Sequence, residues 1–131
     1  MGKNLDVVLR SLEAAHELKV DEALSYYAPD ASYRFGNFPA VTGVPAIRKN
    51  LYDTHVDIMK SLHVDVEGTW EIGDTVIVEM VVKITRIDDR VVEMPCVDVA
   101  RLTADNRIRD LRVYMDMAPF FEGIELPNMK R

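Results

Sequence analysis

The sequence predicts an α+β domain: three helices in its first half wrap a curved, mostly antiparallel sheet formed by its second half. Three observations carry this prediction. Before residue 62, apolar side chains recur mainly at helical spacing. From residue 64 to 117 they recur at every second position, the period of a half-buried strand. Turn signals at Gly73-Asp74, Asp88-Asp89-Arg90 and 104–107 cut that second half into four strands. Helices gathered ahead of an antiparallel meander pack on the sheet together, which is the α+β arrangement. The 131 residues suffice for one domain with a real core, so a single domain spanning 1–131 is expected.

Each element has its own warrant. Leu5, Val8, Leu9, Leu12 and Ala15 share one helical face, which gives an amphipathic helix over 4–18. Asp21 can cap a second short helix over 22–27, which Pro29 should end. A short strand over 31–35 places Tyr33 and Phe35 on one face. Two glycines and two prolines make 36–45 a loop. Pro45 suits the first turn of a third helix reaching to about residue 62, with Ile47, Leu51, His55, Ile58, Met59 and Leu62 along its apolar stripe. Strands over 64–70 and 75–87 follow. The last pair, 96–102 and 108–117, folds back across Asp105-Asn106. Phe121, Ile124 and Leu126 in the tail are expected to pack over the rest.

The last hairpin holds the residue of most chemical interest. Antiparallel register across Asp105-Asn106 sets Arg101 opposite Asp110, an attractive pair. The same register sets Asp98 opposite Val113, on the face of Cys96, Ala100, Leu111 and Met115. A carboxylate there is costly unless hydrogen-bonded or protonated, so its pKa should rise. Aspartate is also depleted in strand interiors, and here valines flank it. Glu79 depends on register. It faces Asp98 if 75–87 pairs with 90–102 across Asp88-Asp89 without a bulge; a bulge at Pro95 would turn it to the other face.

His55 lies on an apolar stripe with an ordinary pKa suited to proton transfer, and it is expected to point into the cavity. His16 and His63 fall at expected helix ends and should be exposed. Tyr26, Tyr33, Phe35, Trp70, Met80, Val113 and Met115 are the candidate walls of an apolar ligand pocket, for which aromatics and methionine are adaptable material. Cys96 reads as a small buried thiol.

Composition narrows the partners. Hydrophobic content of 48% and charged content of 29% are those of a globular protein. A net charge of −6 and a pI near 5.0 argue against nucleic acid and anionic membranes. One cysteine allows no internal disulfide, and the three histidines form no metal-ligand spacing. The start, MGKNLDVVLR, lacks the apolar core of a signal peptide, so the cytoplasm is the expected compartment. Val97, Val99 and Tyr114, joined by Val76 and Val78, are expected to form an outward apolar face that a homodimer would bury.

Three segments, YYAPDASYRF, GVPAIRKNLY and VDVARLTADNRIRDLRVYMD, resemble the cone-shaped nuclear-transport-factor-2-like superfamily. It includes ketosteroid isomerases, limonene epoxide hydrolases and SnoaL-type polyketide cyclases. The resemblance covers essentially the whole chain and implies its fold, with a pocket inside the cone. It places Asp98 where the isomerases keep a protonated aspartic acid as oxyanion donor. It places Asp116 where SnoaL-type cyclases keep an acid/base aspartate. The positions of the isomerases' base and first-helix tyrosine hold Phe35 and Ser11. Those of the hydrolases' arginine and second aspartate hold Cys96 and Val113. Fold alone does not fix the activity. Two readings stand: a cofactor-free acid/base isomerase, dehydratase or cyclase acting on a small, mostly apolar carbonyl compound, or a non-catalytic binding or dimerisation module. In the first, Asp98 is acid or oxyanion donor, with Asp116 or His55 as base.

Overall fold

The computed structural model describes residues 2–124; Leu126 lies outside the described residues. Helix α1 (Lys3–His16) buries Leu5, Val8, Ser11 and Ala14. It closes where Leu18 takes a left-handed φ of 59° and the Lys19 N–H donates to Ala14 O at 2.9 Å. Helix α2 (Val20–Leu24) is only five residues long. Strand β1 (Tyr27–Phe35) begins earlier than expected, and Pro29 lies inside it rather than ending a helix. Proline cannot donate to a ladder, and it sits where the pairing slips between Tyr27 and Ser32. A two-residue edge strand β2 (Val41–Thr42) leads into α3 (Val44–Leu51), whose first turn holds Pro45.

The third helix is shorter than its apolar stripe suggests. After Leu51 the chain makes one wider turn, Tyr52–Val56, with the Asp57 N–H bonded to Tyr52 O at 2.9 Å. Strand β3 (Met59–Ile72) then takes Met59 and Leu62, with Ile58 in the link before it. Leu62-His63-Val64-Asp65-Val66 alternates, and fourteen residues of ladder outweigh a further helical turn. His63 therefore sits on β3, exposed and paired with Asp65 at 3.0 Å, not at a helix end.

Strands β4 (Thr75–Arg86), β5 (Val91–Leu102) and β6 (Ile108–Met115) complete a curved, unclosed sheet in the order β2-β1-β6-β5-β4-β3. All pairs are antiparallel except β1 with β6. Arg101 pairs with Asp110 and Asp98 with Val113, as the hairpin register predicts.

The β4–β5 register differs from both sequence alternatives. Val78, not Glu79, faces Asp98, yet the ladder runs unbroken past Pro95. The turn decides it. The Arg86 N–H bonds to Arg90 O at 2.8 Å around a three-residue loop, in which Asp89 adopts a φ of 70°. Asp98 thus lies inside the cone and Glu79 outside it, exposed. The same register sends Val76 and Val78 inward, both fully buried, and they do not join the outward face. That face carries Ile77, Val97 and Val99 with Tyr114 and Trp70, the last two 53% and 48% exposed.

The inner face packs against α1–α3 and the short helix α4 (Ala118–Phe121). Phe121 and Ile124 pack against the core from this end. Arg86, fully buried, holds α4 in place. Its guanidinium meets Asp88 twice, at 2.7 and 3.1 Å, and donates to Pro119 O at 3.1 Å and Glu122 O at 2.5 Å. Phe120 is thereby set against Phe35 and His55. No helix among the described residues is long and apolar enough to cross a membrane.

Candidate active site

The cone holds a cavity of about 90 Å3 that opens to solvent at its mouth. Aliphatic and aromatic side chains make most of its wall. Its polar groups are few: Ser11 and His16 from α1, Tyr27 and Tyr33 from β1, His55 from the wide turn, and Cys96 and Asp98 from β5. A mostly apolar cavity with a handful of convergent polar groups is the usual form of a small-molecule site.

Asp98 is 5% exposed. Its hydrogen-bond partner among the described residues is the Cys96 thiol, which donates to Oδ1 over 3.6 Å, a weak contact. Burial penalises the carboxylate and pushes its pKa from 3.8 up to about 7, with the thiol pulling slightly the other way. The acid therefore exchanges its proton near neutrality. Tyr27 and Tyr33 are buried beside it, and both phenols are pushed up, mainly by desolvation and further by the charge of Asp98. Cys96 is raised for the same two reasons, so it stays a thiol and is no nucleophile. This corner of the cavity thus gathers three weakly acidic X–H groups within electrostatic reach of the Asp98 carboxyl. Ser11 spends its proton on Ala23 O at 2.9 Å.

His55 lines the cavity as expected, although from the wide turn rather than from a helix. Its ring packs against Phe35 at 5.1 Å and Phe120 at 5.7 Å. Desolvation lowers its pKa from 6.5 to about 4, with a smaller push from His16. His16 ends α1, but it is not exposed as expected. It lines the cavity, its Nε2 is buried without a partner among the described residues, and burial takes its pKa to about 4.

Asp116 stands apart from the cavity. It is exposed, and its carboxylate accepts the Ala118 N–H at 3.0 Å where α4 begins. It lies just past the end of β6, and the strand end does not bring it to the cavity. Arg112 and Arg101 instead share Asp110. Of the expected pocket walls, Tyr33, Phe35, Met80, Val113 and Met115 line the cavity. Tyr26 does not, because β1 begins at Tyr27 and the adjacent tyrosine faces in. Trp70 does not, because it pairs with Ile77 on the outer face.

With this geometry in view, comparison with known proteins is decisive for the family. The SnoaL-like domain matches residues 8–111. The chain belongs to the SnoaL-like family. Solved structures with the same fold include an NTF2-like protein of unknown function from Burkholderia pseudomallei, 18% identical with a TM-score of 0.81, the match covering 95% of this chain and 98% of that one. TerC, co-crystallised with polyporic acid, is 16% identical with a TM-score of 0.80, covering 92% and 97%. SalBIII, an epoxide hydrolase/cyclase-like enzyme of pyran ring formation in the polyether salinomycin, is 20% identical with a TM-score of 0.77, covering 88% and 92%. No curated protein sequence matches the chain. At these identities the structural likeness speaks to the SnoaL-like, NTF2-like cone fold and not to a reaction.

Proposed function

We propose that this SnoaL-like domain is a cofactor-free acid/base enzyme of isomerase, dehydratase or cyclase type, in which Asp98 exchanges a proton with a small, mostly apolar carbonyl compound. One observation carries the reading: a buried carboxyl whose partner among the described residues is a weak thiol contact, poised near neutral pH beside two phenols. As carboxylate, Asp98 takes the proton from the carbon next to the carbonyl. The C–H electron pair moves into the carbon–carbon bond, and charge collects on the carbonyl oxygen. Tyr27 and Tyr33 supply O–H groups to hold that oxygen. The carboxylic acid so formed returns the proton to another carbon in isomerisation or to a departing hydroxyl in dehydration. In cyclisation it protonates the oxygen of a second carbonyl attacked by the enolate. A pKa near the working pH serves both directions of transfer.

The competing reading is a binding module, and one observation favours it: among the described residues no second acid or base hydrogen-bonds to Asp98. Exchange of the α-protons of 2-tetralone in D2O, followed by proton NMR, separates the two. The enzyme reading expects accelerated exchange that Asp98→Asn abolishes while the fold and probe binding persist. Binding without accelerated exchange would support the module instead. We further propose that the outer sheet face, with Trp70 and Tyr114 at its surface, is buried in a homodimer.

A further inference from the structure

The Asp98 corner of the cavity offers protons to a ligand. What the His55 end offers is decided by Thr54, a residue with no exposed surface. Its Oγ1 lies 2.7 Å from Asn50 O and 2.7 Å from His55 Nδ1. A hydroxyl has one proton, and a carbonyl oxygen can only accept. Two oxygens at 2.7 Å repel unless a proton lies between them, which assigns the Thr54 proton to Asn50 O. What Oγ1 turns toward Nδ1 is a lone pair, so Nδ1 must carry the imidazole proton. In a neutral ring, Nε2 is then bare.

Three further observations make this bare nitrogen relevant to a ligand. His55 is neutral at physiological pH, because burial lowers its pKa to about 4. Phe35 and Phe120 fix the ring, which lines the cavity and makes no bond through Nε2 among the described residues. His16, at the same cavity, holds a buried Nε2 that also lacks a partner there. A buried nitrogen without a partner, as His16 Nε2 is among the described residues, is rare and calls for a bonding partner such as a ligand or water.

We infer that Thr54 locks His55 in its Nδ1–H tautomer and so makes the histidine end of the cavity an acceptor subsite for a hydroxyl of the ligand. Thr54 is thus a positioning residue that sets specificity. Phe35, against which His55 packs, pairs with Val113, which pairs with Asp98, so the histidine end and the Asp98 corner are separate parts of the same cavity. Taken with the carbonyl reading proposed above, on which this part rests, the substrate class is a hydroxylated apolar ketone.

The test pairs a ligand-free readout with a matched probe pair. Long-range proton–nitrogen NMR of histidine-labelled protein should show His55 with a proton on Nδ1 and none on Nε2. Thr54→Ser should keep this pattern, and Thr54→Val, of nearly the same shape, should lose it. By fluorescence titration, 6-hydroxy-2-acetonaphthone should bind the unmodified chain about fivefold more tightly than 2-acetonaphthone, the yield of one neutral hydrogen bond. Thr54→Ser should preserve that preference and Thr54→Val abolish it. A proton on Nε2 in the unmodified chain, equal affinity for the two probes, or a preference that survives Thr54→Val would overturn the inference and leave the Asp98 reading intact. Failure of both probes to bind would count against the inference and the carbonyl pocket together. Discrimination by the hydroxyl with no loss of 2-tetralone exchange in Asp98→Asn would uphold the inference while refuting the role of Asp98.

Discussion

Replacing Asp98 by Asn should change how stability depends on pH, by an amount that follows from burial. The folded chain holds the Asp98 proton to about pH 7, against 3.8 for an ordinary aspartate. Below 3.8 both folded and unfolded chains carry that proton, and its stabilising contribution is fully present. Between 3.8 and 7 only the folded chain keeps it, so stability falls as pH rises. Above 7 both have lost it and the loss is complete. The rise from 3.8 to about 7 corresponds to about 4 kcal/mol. His16 and His55 act in the opposite direction. Their pKa values fall from 6.5 to about 4, so their contribution is full above 6.5 and is lost as pH falls toward 4. A pH profile of the unmodified chain alone therefore mixes the three. The difference from Asp98→Asn isolates the carboxyl, because both proteins keep the histidines. Urea denaturation at intervals from about pH 4 to 8 measures it. Far-UV circular dichroism is the appropriate signal, since the single Trp70 is already 48% exposed in the folded state. Relative to the unmodified chain, the Asn variant should gain about 4 kcal/mol from pH 4 to pH 8. A difference that stays flat within about 1 kcal/mol, less than a tenfold change in proton affinity would give, would refute the desolvated-acid reasoning.

Three other outcomes are expected. Arg86→Met removes the fork that pairs with Asp88 and donates to Pro119 O and Glu122 O, leaving Arg90 as the remaining cation at Asp88 and Glu122 O, and should cost about 1–3 kcal/mol, with faster amide exchange at Phe120 and Phe121; Lys should rescue little, because the paired contact to Asp88 needs the guanidinium fork. Asp116→Ala should leave 2-tetralone exchange unchanged and cost about 1 kcal/mol through the lost contact to the Ala118 N–H, and a collapse of exchange would restore it as a catalytic candidate. Light scattering at micromolar concentration should give twice the 14.9 kDa chain mass and revert toward one chain in Tyr114→Glu, whereas a monomer in the unmodified protein would remove the dimer.

The inward aspartate is legible in the sequence because the β5–β6 hairpin is governed by local signals: a tight turn, strict alternation and a favourable Arg101–Asp110 pair. The fate of Glu79 is not, because it hangs on the left-handed Asp89 in a three-residue loop, and one residue more or less in a turn exchanges the faces of the whole strand. The third helix is overextended by its pattern because Ile58, Met59 and Leu62 satisfy helical spacing as well as a link and strand. The alternation from Leu62 to Val66 is the cue that separates them. Pro29 misleads in the same way: it reads as a helix stop and instead occupies a slipped stretch of β1, which brings Tyr27 rather than Tyr26 to the cavity. Asp116 suggests a site role through family position alone. Nothing local marks Thr54 or His16, whose importance arises only when a wide helical turn and the end of α1 meet the same cavity. Arg86, charged and within an alternating strand, gives no sign that chain carbonyls from residues 119 and 122 surround it.

The central claim is that Asp98 is a buried acid poised to exchange its proton, and its own titration tests that most directly. Carbon-13 NMR of aspartate-labelled protein, with Asp98→Asn to assign the signal, follows the carboxyl through the pH range in which the chain stays folded. A midpoint near 7 is the result the structure predicts. A midpoint at or below about 3.9, the value of a free aspartate, would mean that the carboxylate is solvated or paired, and the account of the cavity as an acid/base site would not stand.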